Sequence, residues 1–127
     1  MENMKEGTIV TGIYKTGKYI GEITEVRPLD YLVRVLAVIK HPMQGDLHHP
    51  KEADVAFFHE RRALSYREQA KIPKQMVKPF DGEVPGYRES LIEAIHKMKE
   101  ELKEKPSEWA EKSLQMINSL EQDYFKN

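Results

Sequence analysis

The chain contains no cysteine. That absence excludes disulfides, a thiolate nucleophile, cysteine-ligated zinc and a lipid-modified cysteine within these 127 residues. Long apolar runs are missing as well. The longest, 31–39, carries Arg34 and has the length of a strand, short of the roughly 18 to 20 apolar residues of a membrane span. The first six residues are polar and offer neither an apolar run nor a small-residue cleavage site, so no export leader is expected. An excess of charge of either sign is the third absence. With 20 basic and 21 acidic residues, no global field draws the protein to nucleic acid or to an anionic membrane, and any such binding has to be local.

What is present changes character once along the chain. From residue 7 to about 80, β-branched and aromatic residues alternate with glycines and prolines placed where short strands would turn. Strands are expected over 8–14 and 19–26, joined by a turn through Lys15, Thr16, Gly17 and Lys18. A central strand is expected over 31–40, with Val33, Val35, Ala37 and Ile39 facing one way and Arg34 the other. Periodicity is then lost between 41 and 54, where Pro42, Gly45, Asp46 and Pro50 argue for a long surface loop. Strand character returns at 55–58 and 62–66, and the segment 71–77 reads as a proline-led turn with a closing strand. Several short strands with turns between them predict a small SH3-like β-barrel, the SH3 likeness resting on analogy with that last segment.

Beyond Pro85 and Gly86 the apolar period becomes helical. Leu91, Ile95, Met98 and Leu102 recur at helical spacing, and Glu93 with Lys97 and Glu101 with Lys105 are i, i+4 pairs on the wet side. Pro106 ends that helix, Ser107 can cap the next, and Trp109, Leu114, Met116, Ile117, Leu120 and Tyr124 supply the second apolar face. So short a link predicts an antiparallel hairpin. The fold class expected is therefore α+β, a barrel domain over 1–83 followed by a C-terminal antiparallel two-helix hairpin over 84–127 packed on it.

Three constellations could carry chemistry. Gly12 to Lys18 has the glycine and lysine spacing of a phosphate-binding loop, but Tyr19 replaces the magnesium-holding hydroxyl and a strand follows where a helix N-terminus is needed. A hairpin turn with solubilising lysines is the reading. The cluster of His41, Asp46, His48, His49, Glu52, Asp54 and His59 has the chemistry of a zinc ligand set, without a helical His-Glu-x-x-His frame to hold it. Arg34, Arg61, Arg62 and Arg67 with Phe57, Phe58 and Tyr66 could form a nucleic-acid platform, against which interleaved carboxylates argue. No catalytic residue, cofactor or metal is expected.

Whole strings carry a resemblance. Gly-Lys-Tyr-Ile-Gly-Glu-Ile at 17–23, Tyr-Leu-Val-Arg-Val-Leu-Ala-Val at 31–38, His-Pro-Met-Gln-Gly-Asp-Leu-His at 41–48, Phe-Phe-His-Glu-Arg-Arg-Ala-Leu at 57–64 and Ile-Pro-Lys-Gln-Met-Val-Lys-Pro at 72–79 resemble the kinase-associated protein B family of sporulating bacilli. The resemblance implies a non-catalytic accessory of the sporulation phosphorelay, required for activation or production of the membrane-bound sensor histidine kinase B. It does not imply kinase activity. Partner binding is expected at Met43, Gln44, Asp46, Phe57, Phe58, Arg61 and Arg62, because loops on a small barrel are frequent recognition surfaces and aromatics and arginine anchor interfaces. The partner expected is a sensor histidine kinase or its regulator, with no nucleic acid and no membrane insertion. The location expected is cytoplasmic, with recruitment to the inner face of the cell membrane only through that partner. A small-barrel nucleic-acid-binding regulator is the alternative from another class.

Overall fold

Residues 4–46 and 48–126 are described in this computed structural model. The alternating β-branched segments form β1 (Ile9–Tyr14), β2 (Gly17–Val26) and β3 (Asp30–Lys40). After a long excursion come β4 (Gln69–Pro73), a 3₁₀ turn (Lys74–Met76) and β5 (Val77–Pro79). All pairings are antiparallel, in the order β4-β3-β2-β1-β5. The two edge strands are separated in sequence only by the 3₁₀ turn, so the sheet has to curl until its edges lie close together.

The β1–β2 hairpin closes at Tyr14 opposite Gly17, leaving Lys15 and Thr16 as its tip. Gly21 shows why a glycine sits in the middle of β2: a Cβ there would stand 2.5 Å from the Arg34 carbonyl oxygen and from Val33 Cγ1. β2 and β3 therefore approach more closely than a side chain allows. Register shifts along this pair change the phase of β3. Tyr31, Val33, Val35 and Ala37 are buried as alternation predicts, but burial then passes to Val38, and Ile39 is 37% exposed instead of facing inward.

Two expected strands do not form. Residues 55–58 have no ladder partner among the described residues. Residues 62–66 are bonded largely by side chains, as described below, so their propensity is not realised as sheet.

The helices α1 (Tyr87–Glu104) and α2 (Glu108–Tyr124) follow Pro85 and the Lys105–Pro106–Ser107 link, and pack antiparallel. Ser107 Oγ accepts the Ala110 N–H at 3.0 Å, capping α2. Leu91, Ile95, Met98 and Leu102 are buried as their spacing requires. In α2 the buried line is Ala110, Ser113, Ile117 and Leu120, with Trp109, Leu114, Met116 and Tyr124 half-buried beside it. The small residues at 110 and 113 give the neighbouring elements room to approach closely.

Two apolar clusters result. One fills the curl of the sheet, with Val10, Ile23, Tyr31, Val33, Ile72 and Val77. The other lies between sheet and helices, where Tyr19, Val35, Val38 and Ala63 meet Leu91, Ile95, Ile117 and Leu120. Tyr14 and Leu64 pack against both.

Candidate functional site

The excursion between β3 and β4 is the least regular part of the chain, yet its two limbs, 41–46 and 59–64, are held by hydrogen bonds. Gln44, 4% exposed, acts within it as a substitute for a paired strand: its side-chain oxygen accepts the Arg61 N–H at 2.8 Å, and its amide nitrogen donates to the Arg61 carbonyl at 2.9 Å and to that of Pro42 at 3.0 Å. Gly45, at φ +101°, donates its N–H to the His59 carbonyl, and a Cβ on it would press on the Phe58 ring at 3.1 Å. Arg61 returns its Nε–H to the Gly45 carbonyl at 3.1 Å.

Tyrosines satisfy the returning limb. Tyr124 Oη accepts the Ala63 N–H at 2.8 Å, Tyr19 Oη accepts the Leu64 N–H at 3.2 Å, and Tyr87 Oη donates to the Leu64 carbonyl. Burial pushes the Tyr19 phenol up to about 12 and raises those of Tyr87 and Tyr124, so all three keep their protons at neutral pH.

His41 completes the clasp. It is fully buried, with Nδ1 at 3.0 Å from the Pro42 carbonyl and Nε2 at 2.9 Å from Tyr124 Oη. A carbonyl only accepts, so Nδ1 carries the proton and Nε2 receives the Tyr124 hydroxyl. Burial lowers the imidazole to about 4, which keeps it neutral.

Helix α2 holds the outside of the excursion. Trp109 Nε1 donates to the Gln44 carbonyl at 3.1 Å, and Lys112 Nζ donates to that of Ala53 at 2.9 Å while lying over the Phe58 ring. Arg62 pairs with Asp123 and covers the Tyr124 ring at 4.8 Å, and the hydrogen bond to Asp123 raises its pKa further.

The residues singled out as partner-binding thus fall into two groups. Gln44 is buried, and Phe58, half-buried, sets its ring against Gly45 and under Lys112. Met43, Asp46 and Arg61 are partly exposed, while Arg62 and above all Phe57, 69% exposed and stacked on His59, reach solvent. Asp46 is also engaged locally, its carboxylate accepting the His48 N–H at 2.9 Å. The sequence pattern does not mark Tyr19, Tyr87, Tyr124 and His41 as organisers of this surface. Their only signal in the sequence was that polar aromatics stood where a purely apolar core would need none.

The other constellations disperse. Gly17 and Lys18 open β2, so no helix N-terminus follows the hairpin tip. Among the described residues no three His, Asp or Glu side chains stand together as a metal site, and His41 is committed to Tyr124 and Pro42. Arg34 lies on β3 and pairs in register with Glu22 and Gln69, whereas Arg62 is bound to α2. Among the described residues no helix is long and apolar enough to cross a membrane.

Comparison with known proteins agrees with this architecture. A family model described as kinase associated protein B matches residues 14–125. Kinase-associated lipoprotein B of Bacillus subtilis (strain 168) is 61% identical over 125 residues, covering 98% of each chain. The crystal structure of kinase-associated protein B from Bacillus cereus superposes with a TM-score of 0.82 at 48% identity, covering 96% of this chain and 98% of that one.

Proposed function

The chain belongs to the kinase-associated protein B family, and from that premise we propose that it is a non-catalytic accessory of a sporulation sensor histidine kinase pathway, acting by protein binding in activation or production of the kinase. The kinase, or a regulator of it, is the partner. We read the curled sheet as an SH3-like barrel whose role is to present the 41–62 excursion. We place the protein in the cytoplasm, reaching the inner face of the membrane through that partner.

The observation carrying this reading is a hydrogen-bonded, irregular surface: an excursion tied at Gln44, Arg61, Ala63 and Leu64, yet displaying Phe57 and Arg62 outward. Preorganised loops with an exposed aromatic and arginine suit protein recognition, because little ordering entropy remains to be lost on binding. The test is crosslinking in sporulating cells from the tagged protein, with probes for the kinase and its regulators, followed by Met43→Ala, Asp46→Ala and Arg62→Ala in a phosphorelay reporter. Capture of the kinase and a weakened reporter, with each variant still folded by thermal melt, are expected. Normal signalling from all three loop variants would move the contact surface elsewhere, and failure to capture any kinase component would end the reading. Salt-sensitive RNA or DNA binding in place of a protein complex would favour the nucleic-acid alternative.

A further inference from the structure

The tip of the β1–β2 hairpin and the returning limb of the excursion border a hollow of about 300 Å³, the size at which small-molecule sites begin. Tyr19 and Pro42, both buried, form its floor. Tyr14, Thr16 and Leu64 are half-buried in its walls, and Lys15, Glu60 and Glu68 stand exposed at its rim.

Two hydroxyl groups of this lining accept a hydrogen bond without giving one. Tyr19, 1% exposed, takes the Leu64 N–H on Oη at 3.2 Å, and Thr16 Oγ1 takes the Met43 N–H at 2.9 Å. Neither O–H has an acceptor among the described residues. The Tyr19 phenol keeps its hydrogen at neutral pH, because burial holds it at about 12. A buried donor without an acceptor calls for a partner, and this one lines the hollow.

The charges around these hydroxyls balance. Arg62 is paired with Asp123, and Arg61 gives only its Nε–H away, to the Gly45 carbonyl, so both of its terminal nitrogens stay available. Glu68 accepts the Ser65 N–H with one oxygen and keeps the other. Lys15 and Arg61 therefore oppose Glu60 and Glu68, two cations against two carboxylates, and none of the four forms an ion pair among the described residues.

We propose that this hollow binds a free α-amino acid with an apolar side chain. Its carboxylate takes the Tyr19 and Thr16 hydroxyls with Arg61 and Lys15, and its ammonium takes Glu60 and Glu68. Pro42, Leu64 and the Tyr14 ring receive the side chain. The balance of charge selects this class of ligand. A phosphate or dicarboxylate would set two negative charges beside Glu60 and Glu68, and a simple amine would leave the donors unanswered; a zwitterion meets both signs. The inference is independent of the protein-binding reading, because the isolated chain suffices for it.

Amide NMR of the isolated protein titrated with L-leucine is the test. The amides of Thr16, Arg61 and Leu64 should shift together and saturate, while those of α1 stay fixed. Leucinamide, with a neutral amide for the carboxylate, and isocaproate, which lacks the ammonium, should each bind about tenfold more weakly or worse. Glu60→Gln and Lys15→Gln, both at exposed positions, should each weaken leucine by about threefold to tenfold, whereas Glu101→Gln on α1 should not. Tyr19→Phe should weaken it by about tenfold as well. Since that change also removes the acceptor of the Leu64 N–H, the two exposed variants decide the matter where it impairs folding.

The absence of a saturable shift up to about 10 mM leucine would overturn the proposal and leave the two hydroxyls to water. Isocaproate or inorganic phosphate binding as tightly as leucine would overturn it too, since the hollow would then be a plain anion site. So would leucinamide binding equally well, or the same leucine affinity in the Glu60→Gln, Lys15→Gln and Glu101→Gln proteins.

Discussion

At the scale of single residues, His41 and Ser113 are polar groups buried with opposite outcomes. His41 has both ring nitrogens satisfied as a neutral imidazole. Its folded pKa of about 4 lies below the ordinary histidine value, so only the unfolded chain takes up its proton between those limits. Stability contributed through His41 is complete above about pH 6.5, declines as pH falls towards about 4, and is flat below; the total is on the order of 3 kcal/mol. Urea unfolding of the wild type and of His41→Phe across that range is the check. The variant should be less stable at pH 7, where it removes the acceptor of the Tyr124 hydroxyl and one of the two donors to the Pro42 carbonyl, and should show a shallower loss towards acid. Ser113 is the reverse case. Its Oγ is buried with no partner among the described residues, so it bears a desolvation cost with no hydrogen bond in return. Ser113→Ala should leave the fold intact and raise stability by up to about 1 kcal/mol, read as a higher melting temperature.

At the scale of elements, the excursion between β3 and β4 behaves as structure and not as slack. An extended limb that pairs with no strand should expose its amides to exchange, but here Arg61, Ala63 and Leu64 donate their N–H groups to Gln44, Tyr124 and Tyr19. Gln44→Ala would strand both backbone groups of Arg61 and leave the Pro42 carbonyl with His41 alone, at a cost of about 2 to 3 kcal/mol. Tyr124→Phe removes the acceptor of the Ala63 N–H and the donor to His41, for about 1 to 3 kcal/mol. Hydrogen exchange is the discriminating measurement. Amides of Arg61 and Ala63 should lose protection in the respective variants while those of β1 and β2 keep theirs. Uniform loss across the sheet would mean that the excursion and the sheet open together.

At the scale of the molecule, the sheet and the helical hairpin share a cluster. Tyr19, Val35 and Val38 of the sheet are covered by Leu91, Ile95, Ile117 and Leu120, while the cluster inside the curl touches the same Tyr14 and Leu64. The change of architecture near residue 83 should therefore not divide the protein into independently melting halves, and denaturant unfolding should be a single transition. Trp109 emission follows the helices and amide exchange within β2 follows the sheet, so their midpoints should coincide. Two separated midpoints would give the hairpin its own stability.

Read alone, the sequence determined the order and kind of the main elements. Alternation in 8–40, the prolines at 85 and 106 and the helical spacing from Leu91 to Leu102 are local signals, carried by backbone sterics and by which side chains repeat on one face. It also determined family membership, since the strings that resemble the family lie within the matched span of residues 14–125. Only the tertiary structure decided what the middle of the chain does. The failure of strands at 55–58 and 62–66, the exposure of Ile39, the inward turn of Gln44 and the joining of His41 to Tyr124 depend on partners up to 83 positions away. A residue's propensity for extended structure states how its backbone prefers to lie, but not which group will accept its hydrogen bonds. That is settled by what packing brings alongside it.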